Sequence, residues 1–420
     1  MKKMKTFGLK GVAILIAISL CVQFTSCGES GGEPDPIPPT QTTPIAHLSF
    51  EMKEAGTFKQ LLEAKLKTIT ANKEVFHRID TLTLSGKMNI LDFDANEIEA
   101  IASSFSPHVE MRLICIDLTN VQIVESSCNA ANQLAYLGKD SNYRFIFSSY
   151  EYKLPKSLIE IGSGLFNNRW FGKLVIPSLV KIGNNAFERS QGGIGDIILP
   201  ENLEEIGDCA FQYVEMSGKI TIQGKPKIGK SAFQGIKCDL ITISASEIGE
   251  RAFASSRKVV FNSTPIERIG NYAFEKLNID TLTLDCKYIG NGAFINASIK
   301  ELNLLNTIEI GDAAFHNNKF TTIENLPESL KKIGGLAFGS SNCNIKSVVI
   351  PENLKEIGDA AFYLKPGSGT LGSSVVMKSS TPPVGKKPWI GYPTIYVPKG
   401  SKSAYEKYYD KSLYFQIIEE

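Results

Sequence analysis

Leu174-Val175-Ile176-Pro177-Ser178-Leu179-Val180-Lys181-Ile182-Gly183-Asn184-Asn185-Ala186-Phe187 decides the fold, because its tail recurs along the chain. The tail reads I-G-x-x-[AL]-F. It first occurs as Ile161-Gly162-x-x-Leu165-Phe166. The copies then end at Phe187, Phe211, Phe233, Phe253, Phe274, Phe294, Phe315, Phe338 and Phe362. Their glycines are 20 to 24 residues apart, a period in the range of leucine-rich repeats. Ten in-phase copies are far beyond chance.

One unit can be read physically. A short alternating run precedes the motif, as in Leu174–Ile176, Ile220–Ile222, Ile241–Ile243, Leu282–Leu284, Leu302–Leu304 and Val348–Ile350. Period-two alternation predicts a strand with one face inward. A second apolar pair follows, as in Leu179…Ile182 and Leu330…Ile333. The glycine is expected to make a sharp turn at positive φ. Alanine is expected where coils pass closely, and phenylalanine between them. A single coil cannot bury its own apolar edge, so the coils must stack and join their phenylalanines into one spine. Each buried ring contributes about 1.5–3 kcal/mol. Ten coils at strand spacing give a rod about 48 Å long.

The consensus L-x-I-P…L-x-x-I-G-x-x-A-F over residues 154 to 377 resembles the BspA-like leucine-rich-repeat family of bacterial surface proteins. The C-terminal stretch is similar to that family's closing segment, through Thr381-Pro382-Pro383 and Ile395–Ser401, then Ala404-Tyr405, Phe415 and Ile418-Glu419. A solenoid needs an atypical end to cover its last apolar coil, and Tyr405, Tyr408, Tyr409 and Tyr414 are expected there as half-buried rings. The fold class is therefore a mostly-β repeat solenoid of leucine-rich-repeat coils, with residues 151–377 as the solenoid and 378–420 as the C-terminal cap.

Residues 46–150 lack the motif. Gly56-Thr57-Phe58-Lys59-Gln60 predicts a capping box opening an amphipathic helix. Asp94 to Glu97 predicts a second one, with strands at Ile79–Leu84 and Leu113–Leu118. Strand–helix–strand order suggests larger helix-bearing repeats that form an N-terminal cap, with an independent ligand-binding domain as the alternative.

The first residues point to export. Residues 2–10 are basic and residues 11–22 are apolar, too short to span a membrane and fitting a signal-peptide core. Phe24-Thr25-Ser26-Cys27-Gly28 resembles a bacterial lipoprotein cleavage box, with Phe24 where leucine is usual. Residues 1–26 are then the signal, Cys27 carries the lipid, and residues 27–45 are a Gly/Pro-rich tether. Gly28 stands where many such proteins retained at the inner membrane have aspartate, so the resemblance implies the outer membrane or cell surface of a gram-negative bacterium.

Composition narrows function further. Hydrophobic residues make up 43% and charged residues 21%, which suits a folded chain. Beyond residue 27 there are 41 basic and 44 acidic residues, a balance that argues against nucleic-acid binding. Gly224 to Ser231 spells G-x-x-x-x-G-K-S, yet Gly229-Lys230-Ser231 is simply the fourth copy of the repeat, so no phosphate loop is expected. Six cysteines outside the export segment are widely spaced without C-x-x-C, so no zinc site is expected. Cys209 and Cys286 read as small apolar fillers, and Cys115 and Cys128 as thiols rather than a bridge. His47, His77, His108 and His316 are scattered, and no nucleophile elbow accompanies them. Trp170 and Trp389 are assigned to packing rather than to binding.

The remaining candidate is the outward row of the strands: Val175, Ile198, Thr221, Thr242, Val260, Thr283, Asn303 and Val349. It carries no charge and could form a flat recognition face, although β-branched residues also suit strands without any ligand. The resemblance implies adhesion or protein–protein recognition by a lipid-anchored monomer without catalysis, cofactor or metal. A surface glycan-binding protein of a nutrient-capture system, an enzyme using the N-terminal region and an envelope spacer are the alternatives. An extracellular protein or a glycan is the expected partner.

Overall fold

The computed structural model describes residues 47–420 apart from 89–99, 107, 124–150, 157, 165, 169, 172, 177–178, 195, 263, 340–344, 365–371, 392 and 410–415. The described residues belong to one compact unit, Pro44–Glu420. All the strand pairs in it are parallel, as stacking of successive coils requires.

Each coil contributes to two sides. The long alternating runs form strands such as Lys219–Ile222, Leu240–Ile243 and Ser347–Ile350, with every second residue buried. The second apolar pair forms a shorter strand of two to four residues ending at the motif isoleucine, as in Lys181–Ile182 and Ile266–Ile269. These shorter strands join into one ten-stranded sheet that runs through the ten coils carrying the motif. The long strands do not form one sheet. They divide into separate sheets of two to five strands.

The phenylalanine spine is the core. Consecutive rings from Phe166 to Phe362 lie 4.8–5.3 Å apart and within 2–12° of parallel. Phe187, Phe233, Phe253, Phe274, Phe294, Phe315, Phe338 and Phe362 are fully buried. Alanines 186, 210, 232, 252, 273, 293, 314, 337 and 361 are buried as well. Each alanine carbonyl accepts the amide of the preceding coil's phenylalanine, as Ala293 does from Phe274 at 2.7 Å. Polar groups near the spine serve the same stack: Ser256 donates to the Phe233 carbonyl, and Asn318 to those of Phe294 and Phe315.

The expected positive φ at the motif glycine is not observed. The left-handed residue is instead the one two places later: Asn185, Cys209, Ser231, Arg251, Tyr272, Ala313, Leu336 and Ala360 have φ of 53–57°. A second left-handed residue follows eight of the phenylalanines by two, as at Arg189, Tyr213 and Ser255. Such conformations cost roughly 1–2 kcal/mol in non-glycine residues. They point the amide at the next coil, where Asn185 donates to Asp208 and Arg189 to Gln212, both at 2.8 Å. The glycine is required by crowding. A Cβ on Gly249 would lie 2.6 Å from the Gly229 carbonyl carbon, and one on Gly270 2.6 Å from the Glu250 amide.

The stack has an eleventh rung that the I-G-x-x-[AL]-F pattern does not reveal. Val384-Gly385-Lys386-Lys387-Pro388-Trp389 is a degenerate copy in which proline replaces alanine and tryptophan replaces phenylalanine. Trp389 lies 5.5 Å from Phe362, and Pro388 accepts the Phe362 amide at 3.1 Å. A Cβ on Gly385 would press on the Ile357 carbonyl, as the other motif glycines press on their neighbours. Beyond it, helix Lys402–Tyr408 closes the core. Tyr405 and Tyr409 are fully buried rather than half-buried, and the Tyr405 hydroxyl donates to the Ser379 carbonyl at 2.8 Å. Tyr408 is exposed, and Tyr414 lies outside the described residues.

In the N-terminal region, strands His47–Met52, His77–Met88 and Val109–Ile123 pair in parallel, and the sheet continues through Glu151–Lys153 to Lys173–Val175 of the first long-strand coil. A core of its own, including Phe50, Phe58, Leu62, Leu66 and Leu82, fills this region. Ile79–Leu84 repeats Ile279–Leu284 residue for residue, a sequence sign that the two strands are of one kind. Helix Phe58–Ile69 forms, but the Thr57 capping box does not. The Thr57 hydroxyl turns back to the Glu54 carbonyl at 2.7 Å and caps nothing. The second box, Asp94 to Glu97, lies outside the described residues.

Candidate recognition surfaces

The outward row is placed on the surface as its alternation requires, but in pieces. Ile198, Thr221, Thr242 and Val260 are direct neighbours in one four-stranded sheet. Ile198 is 53% exposed and Val260 44%, with Thr221 and Thr242 half-buried between them. Thr283 and Asn303 face each other in a separate two-stranded sheet. Val349 belongs to a third, where the row continues through Val376, Tyr396 and Ile418, three positions the repeat motif could not reveal.

Val175 lies at the end of the N-terminal sheet. Its row continues as Lys153, Asp117, Thr83 and Ser49. The chargeless character ends there, because Lys153 pairs with Asp117 at 3.1 Å. Partial burial opposes the Asp117 charge, but the Thr119 hydroxyl and amide, together with Lys153, outweigh it. The carboxyl therefore lies below the ordinary range.

The ten-stranded sheet has a different surface. The residue before each motif isoleucine points outward, and successive rungs read Glu160, Lys181, Glu205, Lys227, Glu247, Arg268, Tyr288, Glu309, Lys332, Glu356. Signs alternate, and lysines bond the acid one rung on: Lys181–Glu205 at 3.1 Å, Lys227–Glu247 at 3.0 Å and Lys332–Glu356 at 3.1 Å. Arg268 instead stacks on Tyr288, 4.6 Å from the ring centroid. Beside this ladder, an Asn or Asp after the motif glycine bonds the next coil. Asn184 Oδ1 accepts the Asp208 amide, Asn271 Oδ1 that of Asn291, and Asp312 Oδ1 that of Gly335. Much of this surface charge is thus consumed within the stack.

The described residues that the sequence offered for chemistry have the following places. The G-x-x-x-x-G-K-S stretch continues from the strand Lys227–Ile228 into turns rather than a helix, and Lys230 pairs with Glu250 at 3.3 Å. Among the described residues no group of His, Cys, Asp and Glu is arranged to hold a metal ion. Burial pushes the Cys238 thiol up to about 11 and Cys286 to about 12, which makes both poor nucleophiles. Cys286 is a buried filler as expected, whereas Cys209 sits half-exposed at a left-handed turn. Trp389 is buried in the spine, and Trp170 lies in the short strand Trp170–Phe171. His77 is buried with Nε2 3.0 Å from the Ile69 carbonyl, a structural role. Cys27, Cys128, Cys343 and the whole of residues 1–45 lie outside the described residues.

Parallel coils of 20–24 residues, one motif glycine per turn and a continuous ring spine define a leucine-rich-repeat solenoid. Six copies of a repeat described as the BspA type leucine-rich-repeat region match residues 139–260 and 246–366, more than half of the chain. The chain belongs to the BspA-type leucine-rich-repeat family. No curated protein and no solved structure gives a significant match. Repeats of this type are typically non-catalytic and point to protein–protein recognition or adhesion at a bacterial surface.

Proposed function

We propose that this protein is a lipid-anchored recognition protein of the outer membrane or cell surface, binding an extracellular protein partner through its outward strand row without catalysis. The observation that carries this reading is the register of Ile198, Thr221, Thr242 and Val260: four uncharged, outward, adjacent side chains on rigid strands. The ladder side of the coil, by contrast, spends much of its charge on its own neighbours. An uncharged patch loses little in desolvation when a partner covers it, whereas a self-paired ladder would have to give up its ion pairs. The protein acts as a monomer in this reading, tethered through Cys27 and residues 27–45.

Glycan capture is the second reading, favoured by one observation. The ring of Tyr213 is 46% exposed and lies over Gly235, where a Cβ would be 2.6 Å from it. The burial of Trp389 counts against that reading, since it removes one of two tryptophans from any sugar-binding platform.

A mixed array of extracellular-matrix proteins and glycans separates the readings. Saturable binding to a protein is expected, lost in Thr242→Lys with circular dichroism unchanged. Binding to a glycan that survives Thr242→Lys would replace the proposal with the second reading. The anchor has its own test: Cys27→Ala should move the protein from the membrane to the soluble fraction. Unchanged membrane association would reject lipidation at Cys27.

A further inference from the structure

The ladder on the ten-stranded sheet has one defect in its pattern. Lysine rungs at 181, 227 and 332 bond an acid one rung further on. At Arg268 the next rung is Tyr288, and the acid on the rung before, Glu247, is held by Lys227 at 3.0 Å. Arg268 is exposed and has no acidic partner among the described residues. Its guanidinium carbon lies over the Tyr288 ring, 4.6 Å from the centroid. Stacking orients the guanidinium without satisfying its five N–H donors.

A second donor, Asn271, lies three residues on in the same coil. Asn271 Oδ1 is committed to the Asn291 amide at 2.9 Å, so its NH₂ end is what remains for a ligand. Next along the chain, Tyr272 is exposed and carries Arg251 at 4.9 Å from its ring centroid. Arg251 is occupied by Glu275 at 3.0 Å, which leaves Arg268 as the open cation of the group.

We propose that Arg268, held over Tyr288, is a docking point for an acidic side chain of a protein partner. A guanidinium fork matches a planar carboxylate, which it can bind through two parallel hydrogen bonds. Arginine and tyrosine are the side chains that dominate protein interface hot spots, so a peptide carboxylate suits the site better than a uronic acid. The site lies in a different sheet from the outward strand row and rests on separate observations. Failure of one surface therefore leaves the other standing.

The test uses the full chain in detergent, titrated calorimetrically with a hexaglutamate peptide and separately with a hexagalacturonate. The expected result is saturable peptide binding that weakens roughly tenfold or more in Arg268→Ala. Arg268→Lys should not restore it, because a point charge lacks the fork. Lys287→Ala should leave it intact, since Lys287 is already bonded to Glu267 at 2.7 Å. No saturable binding of the peptide, equal binding by Arg268→Ala, or binding of the galacturonate alone would each overturn the proposal.

Discussion

Phe274→Ala is expected to lower the unfolding free energy by about 3–5 kcal/mol, the range for removing a buried aromatic ring. The ring is fully buried and sits between Phe253 at 5.2 Å and Phe294 at 4.9 Å. It also receives the edge of Phe261 at 5.0 Å. The neighbouring coils cannot collapse into the space, because their spacing is held by hydrogen bonds on both sides, including Phe274 N–H to Ala293. The cavity therefore persists, and the cost lies above simple transfer of the ring. In a solenoid each coil contacts only its neighbours, so a gap in the middle of the stack removes two interfaces at once. Urea unfolding measures the effect. A midpoint equal to that of the unaltered protein would refute the spine as the main source of stability.

Gly249→Ala is expected to cost at least about 3 kcal/mol, at the upper end for overpacking. The added methyl would meet the Gly229 carbonyl carbon at 2.6 Å, with the Gly229 oxygen and Lys230 amide at 2.8 Å. These are backbone atoms, which cannot rotate away as a side chain would. Gly249 is not among the left-handed residues, so alanine's own conformational preference adds nothing to the cost. Gly164 provides the contrast, with φ of 70° and nothing within 4 Å of an added methyl. There alanine should cost only the roughly 1–2 kcal/mol of left-handed strain. If both variants unfold at the same urea concentration, crowding between coils does not explain the recurrent glycine.

These two residues also mark where the sequence is and is not legible. The spine can be read from spacing, since ten phenylalanines in phase have no other use for their apolar area. The glycine can be located but not explained. A recurrent glycine signals either an unusual φ or a close approach, and only coordinates separate them. The true left-handed position is occupied by Asn185, Cys209, Arg251, Tyr272 and Leu336 alike. Its strain is offset by a hydrogen bond to the next coil, which leaves the side chain unconstrained and the motif silent. Trp389 packs in the core as expected, yet its rung is hidden in the sequence because Pro388 breaks the alanine pattern. Thr57 misleads because a hydroxyl at a helix start has two backbone partners in reach. The outward row can be identified residue by residue, but the strand pattern, which recurs alike on both sides of each break, does not mark its division into sheets. Arg268 carries no motif at all. Its position stands out only after the ten rungs are aligned and the missing acid is noticed.

The alternating ladder gives the stack a parity. Removing one coil, such as the one carrying Lys227, would bring Glu205 directly against Glu247. Removing two adjacent coils would restore lysine to glutamate. A rod built in this way changes length most easily in pairs of coils, about 9.6 Å at a time. The length of the stack is thus a quantity adjusted in even steps.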